Sequence, residues 1–382
     1  MTNGKRAEVR EKLQGDLAKF IEETLFYEDL PGLCLGVKWE RAGLNFKGAA
    51  GYKDYDTKEA LSPDHIFHMC SLTKLFVGTA VMRLWEEGAL RLDSKMVEIL
   101  PWLSIDDRRY EAVTVRHVLT HTAGLADVSD YEWNHPRLDP DALRDYVRSD
   151  EVTKSKLLWG PEEGRFCYSN MGYELLGRVI EEVSGESFEA YVEEQIFRPL
   201  GMTDSGLLTF ERSKAVGVEG DARDPAYARA SLSLENLSKA GLAMPHKKDE
   251  AKRIVKEAVY PYNRAHGPSS TLTTNLRDAE KWADAHLREP RVLRPETYDL
   301  IWREYATVPN NNERMGLSWF TREQGGYTLH GHEGTDDGFR SSFWICPELG
   351  LHIVTLSNLS KAPVKKITCA AFDLLLAGGA GH

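Results

Sequence analysis

Apolar residues near the start of the chain fall at three- and four-residue steps: Val9, Leu13, Leu17, Phe20, Ile21 and Leu25. That spacing predicts an amphipathic helix with one buried face. After Pro31-Gly32, the runs LCLGVKW and LNFKGAAGY flank the polar turn Glu40-Arg41-Ala42-Gly43, which reads as a β-hairpin. The stretch LTKLFVGTAVMRLWEEG, opening near Ser71, is apolar nearly all round and predicts a buried helix stopped by Gly88. Helical spacing then dominates to about residue 260, in VTVRHVLTHT, DALRDYVRSD and NMGYELLGRVIEEVSG. Residues 207–258 are charge-rich and read as surface excursions, with helix between Lys247 and Ala258. The period changes again near the end. YTLHGH, FRSSFWICP and LHIVTLSN predict three strands joined by turns at Asp336-Asp337-Gly338 and Glu348-Leu349-Gly350, before an amphipathic helix from about Pro363 to Leu376.

Strands at both ends with helices between them imply an α+β protein whose sheet is assembled from the two termini. We expect residues 1–75 and 262–382 to form that domain, residues 76–261 a mainly helical one, and the active site to lie at their junction.

Composition narrows the function classes. The 382 residues are 42% hydrophobic and 28% charged, ordinary for a globular chain, and the net charge of −11 disfavours nucleic-acid partners. No apolar run has the length of a signal peptide core or a membrane helix, so the expectation is a cytoplasmic protein without membrane contact. Cys34, Cys70, Cys167, Cys346 and Cys369 are an odd, scattered set, neither a disulfide framework nor a C-x-x-C site. Small packing residues beside a site is the simpler account of Cys70 and Cys167.

Three short motifs carry chemistry. In Ser71-Leu72-Thr73-Lys74, helical spacing stacks the amine over the hydroxyl. Serine is a weak nucleophile until a base removes its proton, and a lysine in a dry cleft can lose enough basicity to serve. S-x-x-K alone is weak, since chance yields about one match in such a chain, and a capping serine before a solvated lysine is the plain alternative. The apolar flanks argue against that, because they bury the lysine. In Tyr168-Ser169-Asn170, a phenol can relay a proton and a carboxamide can hold a carbonyl and an amine; a turn with Asn170 as helix cap is equally consistent. His332-Glu333-Gly334 sits on or just after a strand, where a backbone N–H, that of Thr335, can serve as an oxyanion donor, and Gly334 lets substrate approach. The same residue types allow a metal site, with His330, His332 and Glu333 joined by His117 and His121, although H-E-x-x-H is absent.

The order of these motifs, together with VTVRHVLTHTAGL, the stretch from Tyr168 to Gly206 and GPSSTLTTNLRDAEKW, resembles the serine β-lactamases and penicillin-binding proteins. The resemblance covers about two-thirds of the chain and is closest to the class C β-lactamase, D,D-peptidase and esterase branch. It implies a five-stranded antiparallel sheet flanked by terminal helices, an inserted all-helical domain, and no cofactor or metal. It further implies that Ser71 is acylated, that Lys74 and Tyr168 exchange protons, that Asn170 contacts substrate and lysine, and that the backbone N–H groups of Ser71 and Thr335 form the oxyanion hole. A non-catalytic ligand-binding descendant would have no need of Ser, Lys, Tyr and Asn together.

One departure bears on substrate. The third motif of β-lactamases and D,D-peptidases is usually Lys, then Thr or Ser, then Gly, and helps hold a carboxylate. Here His332 and Glu333 stand in the first two places. A carboxylate pointing into the cleft would repel an anionic substrate end by about 1–4 kcal/mol. The expectation is a carboxylesterase or D-amino-acid-directed amidase or peptidase acting on a small-molecule ester or amide, with β-lactamase or D,D-carboxypeptidase action on a lactam or peptide as the alternative. The oligomeric state stays open.

Overall fold

The computed structural model describes residues 3–288 and 291–379. An antiparallel sheet forms its centre. Its strands are β1 (Gly32–Trp39), β2 (Leu44–Asp54), β3 (Glu59–Ala60), β8 (Ala306–Thr307), β9 (Glu313–Met315), β10 (Phe320–Gln324), β11 (Tyr327–Asp336), β12 (Phe339–Cys346) and β13 (Leu351–Ser357). Their spatial order is β3-β2-β1-β13-β12-β11-β10-β9-β8. Two short pairs lie outside it: β4 (Phe67–His68) with β7 (Thr273–Thr274), and β5 (His246–Lys248) with β6 (Ile254–Lys256). The central pairing joins the two ends of the chain, with Leu35 opposite Thr355 and Val37 opposite Ile353.

The sheet is buried on both faces, so its middle strands read as continuous apolar runs. Leu33, Leu35, Val37, Trp344, Leu351 and Ile353 pack with Leu13, Leu17 and Ile21 of helix α1 (Asn3–Tyr27) and with Phe372 and Leu375 of the C-terminal helix Val364–Gly379. Alternate residues Cys34, Phe343, Ile345, Val354 and Leu356 meet Leu276 and Trp282 of the helix Leu276–Leu287 and join the core of the helical region. Buried helix α2 (Thr73–Glu86) runs through that region, with Phe76 stacked on Trp282 at 3.9 Å.

Local readings and structure differ in instructive places. The sheet has nine strands, not five, because β3 and the segment 306–324 extend its two edges. The stretch from Lys247 to Ala258, expected as helix, holds the β5–β6 hairpin. Asp249 closes its turn by accepting the Arg253 N–H, and Lys252 adopts a positive φ of 61°. His246 anchors it by accepting the Tyr55 N–H at Nε2 and donating from Nδ1 to the Asn358 carbonyl. Those tertiary contacts outweigh helix propensity worth only tenths of a kcal/mol per residue. Among the described residues, no helix is long and apolar enough to cross a membrane.

Leu17 is fully buried between α1 and the sheet. Leu17→Ala should cost about 2–5 kcal/mol of unfolding free energy by chemical denaturation. A loss below about 0.5 kcal/mol would mean that α1 is not part of the cooperative core.

Candidate active site

Ser71 lies in a 3-10 turn, Cys70–Leu72, immediately before α2, so the α-helix proper starts two residues later than the motif alone suggests. Cys70 is buried with φ of +52°, a backbone conformation unfavourable for a residue with a side chain. Thr73 holds it: the hydroxyl donates to the Cys70 carbonyl at 2.7 Å and accepts the Leu272 N–H at 3.0 Å. Burial pushes the Cys70 thiol well above its ordinary range, in keeping with a packing role. The turn leaves Ser71 half-buried at the cleft and sends Lys74 inward.

Lys74 is fully buried and its Nζ meets three oxygens: Ser71 Oγ at 3.1 Å, Asn170 Oδ1 at 2.5 Å and the Ser269 carbonyl at 2.8 Å. Burial lowers its pKa from 10.5 to about 8, while Glu174, Asp336 and Asp127 pull the other way. A neutral amine has two hydrogens and one lone pair. Asn170 and Ser269 can only accept, so they take the hydrogens, and the lone pair is left for the Ser71 hydroxyl.

The second motif precedes the helix Asn170–Ser184, whose cap is Ser169, accepting the Gly172 N–H at 3.1 Å; Asn170 is thereby free for the cleft. Tyr168 lines the cleft beside Ser71, and burial holds its phenol well above the usual range. Two residues outside the motif fix this one. Asp127 accepts both the backbone N–H of Asn170 at 2.8 Å and its Nδ2 at 3.0 Å, which turns Oδ1 toward Lys74. His121 stacks on Tyr168 at 4.3 Å and accepts the Ser169 N–H at Nδ1, kept neutral by burial and by Lys74. Sequence reading missed Asp127 altogether, since a loop aspartate 43 residues upstream carries no signal of its own. His121 entered only as a candidate ligand.

The third motif lies within β11. His332 donates Nδ1–H to the Glu333 carbonyl at 2.5 Å, so its lone pair is at Nε2, which is buried without a protein partner. Burial and Lys74 lower its pKa to about 3. A Cβ on Gly334 would stand 2.6 Å from the Met69 carbonyl, so glycine lets β11 close against the nucleophile turn. Ser341 on β12 also donates to that carbonyl, at 2.7 Å.

Glu333 does line the cleft, but its charge is not free. Oε1 accepts Trp344 Nε1 at 2.7 Å and Ser342 Oγ at 3.2 Å, and Arg322 stands 3.7 Å away, stacked on Trp344. Burial raises the carboxyl to about 7, against the pull of those partners. The repulsion expected from a fully ionised carboxylate is therefore reduced at neutral pH.

Ser71, Tyr168, Asn170, His332, Glu333 and Thr335 share a cleft of about 530 Å³, with Lys74 beneath it and Gly334 behind. The five candidate metal ligands do not converge. His117 bonds to Thr114, and His330 stacks on Trp302 at 4.3 Å and bonds to Thr321.

The chain is similar to Protein flp of Staphylococcus aureus (strain N315), 27% identical over 361 residues, which are 93% of this chain and 65% of that protein. It thus spans about two-thirds of the length of that relative. Among solved structures it resembles the octameric penicillin-binding protein homologue from Pyrococcus abyssi, with TM-score 0.78 and 25% identity over 95% of this chain and 77% of the other. It also shares the fold of the D-amino acid amidase from Ochrobactrum anthropi SV3, with TM-score 0.72 and 20% identity over 98% and 99% of the two chains. The sequence profile of the Beta-lactamase family matches residues 17–378, nearly the whole chain, and the protein belongs to that family.

Proposed function

We propose that the protein is a serine hydrolase that works through an acyl-Ser71 intermediate, acting as a carboxylesterase or D-amino-acid-directed amidase. The observation that carries this reading is the buried Lys74 amine, whose Nζ lies 3.1 Å from Ser71 Oγ and has acceptors for two of its hydrogens in Asn170 Oδ1 and the Ser269 carbonyl, which would leave the lone pair of its neutral form for Ser71. In this reading neutral Lys74 takes the serine proton as Oγ attacks the acyl carbon. The backbone N–H groups of Ser71 and Thr335 receive the oxyanion. Tyr168 passes a proton to the leaving group and is reprotonated through Lys74. Water then cleaves the ester by the same path in reverse. His332, neutral with a buried, unpartnered Nε2, can there accept a hydrogen bond but not donate one.

Labelling with a fluorophosphonate should place one adduct on Ser71, seen by intact-mass and peptide mass spectrometry. Undiminished labelling of Ser71→Ala would end the proposal. Lys74→Ala and Tyr168→Phe should each lower turnover of a short-chain p-nitrophenyl ester about 10²-fold or more, with the double variant well short of the product of the two losses. Because the base is the deprotonated lysine, kcat/KM should rise with pH and level off above about 8. Wild-type turnover in either variant removes that residue from the mechanism.

Within this reading, a preference for amine-bearing substrates rests on Glu333 and the likeness in fold to a D-amino acid amidase. Glu333 gains its charge as pH rises through about 7. A substrate carrying a quaternary ammonium should therefore improve relative to its neutral isostere across that range, and Glu333→Gln should abolish the trend. A ratio independent of pH in the wild type would remove Glu333 from substrate selection.

A further inference from the structure

Asp336 closes β11, two residues beyond Gly334, and lines the cleft. Its Oδ2 takes His68 Nε2 at 2.7 Å and, in a shorter contact, the Ser270 hydroxyl. The first partner belongs to the nucleophile side: His68 lies three residues before Ser71, on β4, paired with Thr273 of β7. The second belongs to the base side: Ser270 follows Ser269, whose carbonyl receives Lys74 Nζ at 2.8 Å. A single carboxylate oxygen thus ties the third-motif strand to the turn that carries Ser71 and to the peptide that orients Lys74. Arg340 donates to the Asp336 backbone carbonyl at 3.0 Å and steadies the strand end. The segment itself is seated by close packing, since a Cβ on Gly177 would fall 2.2 Å from Pro268.

We infer that Asp336 is a positioning residue for acyl transfer: by holding His68 and Ser270 on one oxygen, it keeps the Ser269 carbonyl on Lys74 and the lysine lone pair on Ser71. The inference rests on the acyl-Ser71 reading. The geometry distinguishes this role from a surface ion pair, because both donors are buried side chains, one three residues before Ser71 and the other next to the Ser269 peptide that accepts Lys74 Nζ. The carboxylate also adds negative charge beside a buried amine. Lys74 is faced by Glu174, Asp127, Asp336 and Cys70, with His121, His332, Tyr168 and Tyr173 around them. Asp336 is itself faced by His68, Arg340, Asp337 and Cys70. Loss of its charge and loss of the Ser269 acceptor act in the same direction: each disfavours the ammonium form of Lys74.

The test is the pH profile of kcat/KM for a neutral p-nitrophenyl ester with Asp336→Asn, repeated in a Glu333→Gln background so that Lys74 alone sets the limb. The ascending limb should move to lower pH by about half a unit or more. The plateau should fall about tenfold or more through kcat, with KM changed less than about threefold. Asp336→Glu, which keeps the charge, should return the limb toward its original position. A limb that stays in place in folded Asp336→Asn overturns the inference, and so does a loss confined to KM. Should Asp336→Asn fail to fold, Ser270→Ala removes one arm of the clamp. It should lower kcat at least about fivefold, and unchanged kcat overturns the inference. Phosphonate labelling of the wild type keeps the two ideas apart. An adduct on Ser71 with an unmoved limb sinks only the role of Asp336, whereas no adduct on Ser71 sinks the reading beneath it.

Discussion

Everything at this site follows from putting the Lys74 amine where water cannot reach it. The fall in its pKa from 10.5 to about 8 corresponds to about 3 kcal/mol in favour of the neutral amine. Burial without partners would push it much further, because an uncompensated buried cation costs several kcal/mol. Three carboxylates, Glu174, Asp127 and Asp336, limit that fall. About a tenth of the molecules then carry the neutral form at pH 7, the fraction on which the proposed base would draw. A lysine left at its ordinary value would be almost wholly protonated, and a fully desolvated one too weak a base to take the serine proton.

The rest of the architecture serves to hold that balance. Asn170 must present Oδ1 to the lysine, and it does so because Asp127 occupies its Nδ2 and backbone N–H. The Ser269 carbonyl must stay in place, and it is seated on Gly177 through Pro268. Ser71 must sit at the mouth while Lys74 sits inside. The left-handed backbone at Cys70 makes that turn at a cost of order 1–3 kcal/mol, which the surrounding core can absorb. Helices and sheet meet here because β11 passes against the Cys70–Leu72 turn, and only a glycine at 334 permits the approach.

Selectivity is separable from this machinery. Glu333 is held by Trp344, Ser342 and Arg322, so its charge responds to a different set of neighbours from those that tune the Lys74 amine. In the proposed mechanism, a change of preferred substrate could therefore be made at the third motif without disturbing proton transfer. The Arg322 guanidinium is stacked on Trp344 at 3.9 Å and buried, which makes this corner of the cleft a paired one, not simply a negative wall.

The elements with strong periodicity were legible in the chain: α1, the β1–β2 hairpin, buried α2, and the strands and helix of the C-terminal end. The reason is that each buries a face, or both faces, against the core, and burial imposes its period on the sequence. The family, too, was legible, because S-x-x-K, Y-x-N and H-x-G fall in order on those elements. Weakly periodic stretches were not. The hairpin at residues 246–256 is held by Asn358, Tyr55 and a local aspartate turn, and a charged sequence with helical propensity gives no warning of such partners. Edge strands between residues 306 and 324 were missed for a like reason, since β8 and β9 are only two and three residues long and too short to show a period. The chain by itself determined which side chains could do chemistry. Only the tertiary structure decided their states: that Lys74 is stripped of water, that His332 is neutral with Nε2 open, and that burial lifts the Glu333 carboxyl to about 7 against the pull of an arginine eleven residues before it. Protonation depends on desolvation and on neighbours brought together from distant positions, and no local pattern of residues encodes either.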